Sequence, residues 1–220
     1  MSELEGRRPL KVRSSILSQS IAKWLSRKSI TPNQISIFSV VFALFAALCL
    51  FSLPYIGGIS QWLMPILAAV LIQCRLLCNL FDGMVAVEGG KATASGELFN
   101  DIPDRIADPL ILVAAGYATT AVDWSVSLGW AAGLLAIMTA YIRTLSVSIG
   151  APANFGGPMA KQHRMALLTG ACVITAIEPL LWMPGLVMPI ALVLVIVGCV
   201  ITAFNRTLAA YLYLEKKDNV

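Results

Sequence analysis

A chain of 220 residues that is 58% hydrophobic and 13% charged is too apolar for a soluble domain and reads as a polytopic membrane protein. Its formal net charge of +4 is modest, so nucleic acid is not an expected partner, and the placement of the basic residues matters more than their number. Cys49, Cys74, Cys78, Cys172 and Cys199 all lie in apolar runs, where a thiol packs as a small hydrophobe; neither a disulfide framework nor a thiolate metal site is expected.

Residues 7–28 hold Arg7, Arg8, Lys11, Arg13, Lys23, Arg27 and Lys28, while Leu17, Ile21, Trp24 and Leu25 recur at helical spacing. This pattern predicts an amphipathic helix lying on anionic lipid. No apolar h-region or cleavage site precedes residue 30, so a removed signal peptide is not expected. Thr31 offers an N-cap and Pro32 a first-turn residue for an uncharged span reaching about Tyr55. Further spans are predicted at about 62–82, 100–119, 124–147, 165–182 and 185–207, because roughly 20 apolar residues cross the hydrocarbon. Within the third, Pro103 and Pro109 each remove a backbone hydrogen bond and free the carbonyls of Phe99 and Arg105.

The expected architecture is therefore an all-α integral membrane protein. Six transmembrane helices (31–214) follow an N-terminal tail and interfacial amphipathic helix (1–30) and precede a short tail (215–220). The loops near 54–60, 120–124 and 178–184 contain no Lys or Arg, whereas all 16 basic residues fall in the tails, the other loops or adjoining helix ends. Both termini and the 83–96 loop are thus expected on the cytoplasmic side of the plasma membrane. Trp62, Trp124 and Trp182 sit where an outer aromatic belt would place them.

Two polar clusters interrupt the oil. Asn79 and Asp82 lie three apart, and Asn100, Asp104 and Asp108 repeat at four, so each set shares one helix face and a pocket forms between two helices. Ionisable side chains at membrane depth cost a few kcal/mol each, so such a cluster is a functional hypothesis by default.

The full array, Asn79-x2-Asp82-Gly83-x2-Ala86-Val87-x8-Gly96-x3-Asn100-x3-Asp104, resembles the D-x2-D-G-x2-A-R-x8-G-x3-D-x3-D signature of the CDP-alcohol phosphotransferase family. Asp82, Gly83, Ala86, Gly96 and Asp104 agree with it, whereas Asn79 and Asn100 replace the first and third Asp and Val87 replaces the Arg. The Thr31-Pro32-Asn33 entry and the six expected crossings are also similar to this family.

The resemblance implies transfer of a substituted phosphate from a CDP-linked lipid donor, CDP-diacylglycerol, to an alcohol acceptor, with CMP leaving. It implies that Asn79, Asp82, Asn100 and Asp104 hold Mg²⁺ or Mn²⁺, one or two ions, and that Asp104 is also the general base. Asn33, Gly83, Ala86 and Gly96 would face the nucleotide. Arg143, Lys161 and Arg164 would hold the phosphate of a phosphorylated acceptor, and the protein would be a homodimer.

An Asn oxygen coordinates without neutralising charge, so weaker metal binding is expected, or one tight ion with a second arriving on the nucleotide. Asp101 and Asp108 are candidates to compensate; Arg75 and Arg105 are candidates either to neutralise carboxylates or to touch phosphate. Blander roles stand beside these: positive-inside anchoring for Lys161 and Arg164, and small-residue packing for Gly83 and Ala86. His163 has no partner pattern and carries no role. Two other functions stay open, a catalytically silent nucleotide-binding member of the family and a small cation transporter. A transporter would need polar residues across the whole third span, yet PLILVAAGYA follows Asp108.

Overall fold

The computed structural model describes residues 15–28, 30–91, 93, 95–180 and 185–218. Among them all regular structure is helical: α1 (Ile16–Arg27), α2 (Pro32–Ser52), α3 (Ser60–Glu88), α4 (Gly96–Gly116), α5 (Ser125–Ser148), α6 (Lys161–Ile177) and α7 (Val187–Asp218), with single 3₁₀ turns at Leu53–Tyr55 and Glu178–Leu180. Four of these helices are long and apolar enough to cross a membrane, at Pro32–Tyr55, Ser60–Val87, Ser125–Ser148 and Val187–Lys217. The other two expected spans do not qualify, α4 because Asp101, Asp104, Arg105 and Asp108 interrupt it and α6 because it has only 17 residues.

Local chemistry sets the helix ends. Thr31 Oγ1 accepts the Gln34 N–H at 3.2 Å while Gln34 Oε1 accepts the Thr31 N–H at 2.9 Å, a reciprocal box that starts α2 with Pro32 in its first turn. Glu178, although buried, caps the start of α7: its Oε1 accepts the N–H groups of Leu186 at 2.8 Å and Val187 at 2.9 Å.

Several predicted boundaries move. Helix α3 runs on to Glu88 instead of stopping at Asp82, so Gly83 and Ala86 lie in a helix and not in a loop. The roughly 1 kcal/mol helix penalty of Gly83 is offset by packing, since Leu80 and Met84 close a small core against Ala22 of α1. Helix α4 accordingly begins at Gly96, before Asn100, and α7 continues past 207 into the expected C-terminal tail.

Lys91 Nζ donates to the carbonyls of Ser26, Lys28 and Ile30 at 2.8, 3.1 and 3.2 Å, fastening the end of α1 to the α3–α4 loop. Trp24 is exposed and Lys28 sits over its ring. The side chain of Leu17 and the residues Arg7, Arg8, Lys11, Arg13 and Trp182 lie outside the described residues.

The core is built from small side chains as much as large ones. Ala43, Ala46, Ala68, Ala107, Ala115 and Ala132 join Ile72, Ile111, Leu112 and Leu168 in one buried cluster, because close helix approach supplies the packing that apolar burial cannot supply in lipid. At the α4–α5 crossing, a Cβ on Gly116 would stand 2.8 Å from the Ser125 carbonyl oxygen, and one on Gly129 would stand 2.9 Å from that of Val113. Outward faces are greasy, with Phe38, Phe45, Leu134, Val200 and Phe204 exposed. All five cysteines are free.

Candidate active site

Helices α2, α3, α4 and α6 converge on the polar clusters. Asp82, on α3, is 3% exposed; its Oδ2 accepts the Ser36 hydroxyl of α2 at 2.6 Å and its Oδ1 accepts the Gly83 N–H at 2.5 Å. Among the described residues it has no ion pair. Asn79 lies one turn earlier and turns its amide nitrogen to Asp104 Oδ1 at 3.1 Å.

Asp104 and Asp108, one turn apart on α4, are surrounded by cations. Arg75 of α3 is 0% exposed, and its Nη2 reaches both Asp104 Oδ1 at 2.9 Å and Asp108 Oδ1 at 2.6 Å. Lys161 Nζ pairs with Asp104 Oδ2. Arg164 Nη2 donates to Asp108 Oδ2 at 2.8 Å, while its Nη1 donates to the Met159 carbonyl at 2.9 Å. Two buried carboxylates thus meet three cations, and with the unpaired Asp82 nearby the formal charges of the cluster sum to zero.

A separate pair network lies on the more exposed side of α4. Asp101 accepts from Arg105 and from Arg143, each at 2.8 Å, and Arg143 stacks on Phe155 at 5.1 Å. Asp101 therefore answers its own arginines instead of making good the missing carboxylates of Asn79 and Asn100. Asn100 is exposed, and Asn33 is half-buried in the first turn of α2. Among the described residues a Cβ on Gly96 would meet only Thr93 Oγ1 at 3.5 Å, so no contact among them requires glycine there.

Sequence reasoning missed Ser36, the hydroxyl on Asp82. The signal was present, since Asn33 and Ser36 share a face of an otherwise apolar helix. It also missed Arg206 of α7, whose Nε donates to the Gly156 carbonyl at 3.0 Å and whose Nη1 donates to that of Thr139 at 2.7 Å. That tie fixes the loop leading into Lys161.

A divalent ion wants several oxygen ligands with net negative charge. Among the described residues no group of three or more His, Cys, Asp or Glu side chains converges as such a site. Both oxygens of Asp104 already face cations. Asp82 is the carboxylate free of them, and with the amide oxygens of Asn79 and Asn100 it is a donor set of the right hardness for one ion. That chemistry suits a divalent cation.

The CDP-alcohol phosphatidyltransferase family model matches residues 29–210. The phosphatidylinositol phosphate synthase of Mycobacteroides abscessus is 22% identical over 171 residues, covering 72% of this chain and 69% of that protein. The crystal structure of the Mycobacterium tuberculosis phosphatidylinositol phosphate synthase with CDP-DAG bound matches with a TM-score of 0.72 at 20% identity, covering 90% of this chain and 94% of that one. The same enzyme in complex with manganese and citrate gives 0.71 at 20% identity, covering 88% of each chain. These structural likenesses establish a shared fold, and the family match takes in most of the chain, including both polar clusters. With the spacing of its signature kept from Asn79 to Asp104, this chain belongs to the CDP-alcohol phosphatidyltransferase family.

Proposed function

We propose that the protein moves the phosphatidyl group of CDP-diacylglycerol onto the hydroxyl of a phosphorylated alcohol, releasing CMP, in phospholipid synthesis. In this reading α2 to α7 are six spans of a domain covering 31–214, both termini and the polar cluster face the cytoplasm at the plasma membrane, and α1 lies on the lipid surface. Two copies form the working unit, as family likeness suggests.

The observation that carries the reading is the contact of Lys161 with Asp104, which joins the expected base to the expected acceptor-phosphate cations in one network. Asp104 takes the proton of the acceptor hydroxyl; that oxygen forms a bond to the lipid-bearing phosphorus of the donor, and the bond from this phosphorus to the bridging oxygen breaks, so that CMP leaves with the electron pair. For Asp104 to accept a proton, Lys161 must release it. An incoming acceptor phosphate supplies the alternative anion, drawing Lys161 and Arg164 onto itself. Arg143, paired with Asp101, stands at the more exposed edge where such a phosphate would enter. Asn33, Gly83, Ala86 and Gly96 lie on the helix ends that would flank the nucleotide.

Asp82, Asn79 and Asn100 would hold one Mg²⁺ or Mn²⁺. When bound, that ion would neutralise charge on the donor pyrophosphate.

The test is CMP release by the purified protein in lipid nanodiscs containing CDP-diacylglycerol, with glycerol 3-phosphate, inositol phosphate, inositol and serine supplied in turn. Release with a phosphorylated acceptor, lost on chelation, is the expected result. Equal release with serine or inositol would overturn the acceptor class, and release that survives complete chelation would overturn metal dependence. Binding of the donor with no release for any acceptor would favour the silent family member, a reading to which the fully paired Asp104 lends some support.

A further inference from the structure

Arg75 has no counterpart in the signature and was placed by tertiary packing at the centre of the polar cluster. It lies one turn before Asn79 on α3, is wholly buried, and spans both Asp104 and Asp108 through a single nitrogen, Nη2. Its Nε and Nη1 have no hydrogen-bond partner among the described residues, and buried donors left unmet are destabilising. A buried guanidinium with spare donors beside a phosphoryl-transfer site has the chemistry to receive phosphate oxygens bidentately.

We infer that Arg75 is a built-in cation that does the work of a second divalent ion, so that this protein takes up one exchangeable metal per chain. The charges support this. The two Asn substitutions remove two negative charges from the signature positions, and the remaining carboxylates are already balanced by Arg75, Lys161 and Arg164. A CDP-linked donor brings two negative charges on its pyrophosphate, and one divalent ion restores neutrality. A second would leave two positive charges uncompensated beside the buried guanidinium, where they repel it with little screening. Arg75 binds Asp104 from the α3 side while Lys161 binds it from α6. When Lys161 turns to the acceptor, Arg75 remains to keep Asp104 ionised and in place.

This inference rests on the proposed transfer reaction for Arg75's role, but its test reads metal binding directly. Mn²⁺ is titrated into the purified protein in nanodiscs containing CDP-diacylglycerol, with free Mn²⁺ followed by electron paramagnetic resonance. The natural chain is expected to bind one Mn²⁺ and to show none of the line broadening of a coupled pair. The double variant Asn79→Asp/Asn100→Asp restores four carboxylates with Arg75 present, and its second site is expected to stay weak. Adding Arg75→Met should tighten that second site by about a hundredfold or more, in keeping with removal of a unit charge at close range.

Two ions bound by the natural chain would overturn the inference, and so would equal second-site affinity in the double and triple variants. The first measurement needs no variant, so a triple variant that fails to fold does not rescue the idea. CMP release with two ions bound would sink the inference alone, whereas one ion bound with no release under any acceptor would sink the transfer reading alone.

Discussion

The two acidic halves of the site are held by different physics. Asp82 rests on neutral donors, a serine hydroxyl and a backbone N–H, whereas Asp104 and Asp108 are clamped between guanidinium and ammonium groups on α3 and α6. A carboxylate with neutral partners keeps its negative charge available to an incoming cation. One already matched by fixed cations is instead a structural element that must exchange partners before it can act. On the proposed function, metal binding falls to the Asp82 half and proton transfer with phosphate handling to the other.

Substitutions on either side break or sharpen that contrast. The largest effect is expected for Asp104→Asn, which should lower CMP release by about a thousandfold, the scale of a lost general base. The variant should still elute as folded protein, because Asp108 continues to hold Arg75 and Arg164; undiminished turnover would remove Asp104 as base. Next comes Asp108→Asn, which leaves two buried arginines short of charge and should destabilise the protein by about 3–5 kcal/mol, read as an early thermal unfolding transition in detergent. Asp82→Asn should cost under about 1.5 kcal/mol of stability, since only neutral donors lose their acceptor, yet it should largely abolish Mn²⁺ binding. If Asp82→Asn proves as unstable as Asp108→Asn, the two halves are not different in kind. The smallest effect belongs to Ser36→Ala, about 1 kcal/mol in stability, with Mn²⁺ affinity lowered less than for Asp82→Asn because Ser36 only orients the carboxylate.

Much of this was legible in the sequence. The apolar runs announced the four helices long and apolar enough to cross a membrane, Thr31 and Pro32 announced the start of α2, and the period of Asn100, Asp104 and Asp108 placed them on one face of α4. Less legible was the reach of α3. Gly83 argues for a helix end on local propensity, and only the burial of Met84 against α1 carries the helix through to Glu88. Asp101 was equally undecidable. Its spacing to Arg105 is visible, but the second arginine, Arg143, lies 42 positions away.

The sequence by itself therefore determined which residues share a helix face, because helical periodicity is a local property of the chain. It also determined the anomaly of two asparagines where carboxylates belong. What the tertiary structure decided was the partner of each charge. Arg75 meets Asp104 across 29 positions and Lys161 meets it across 57, and only helix packing can bring such groups within reach. In a low-dielectric interior a buried charge needs an opposite charge or hydrogen-bond donors to hold it. The fold supplied three fixed cations, and one of them, the wholly buried Arg75, reaches both Asp104 and Asp108.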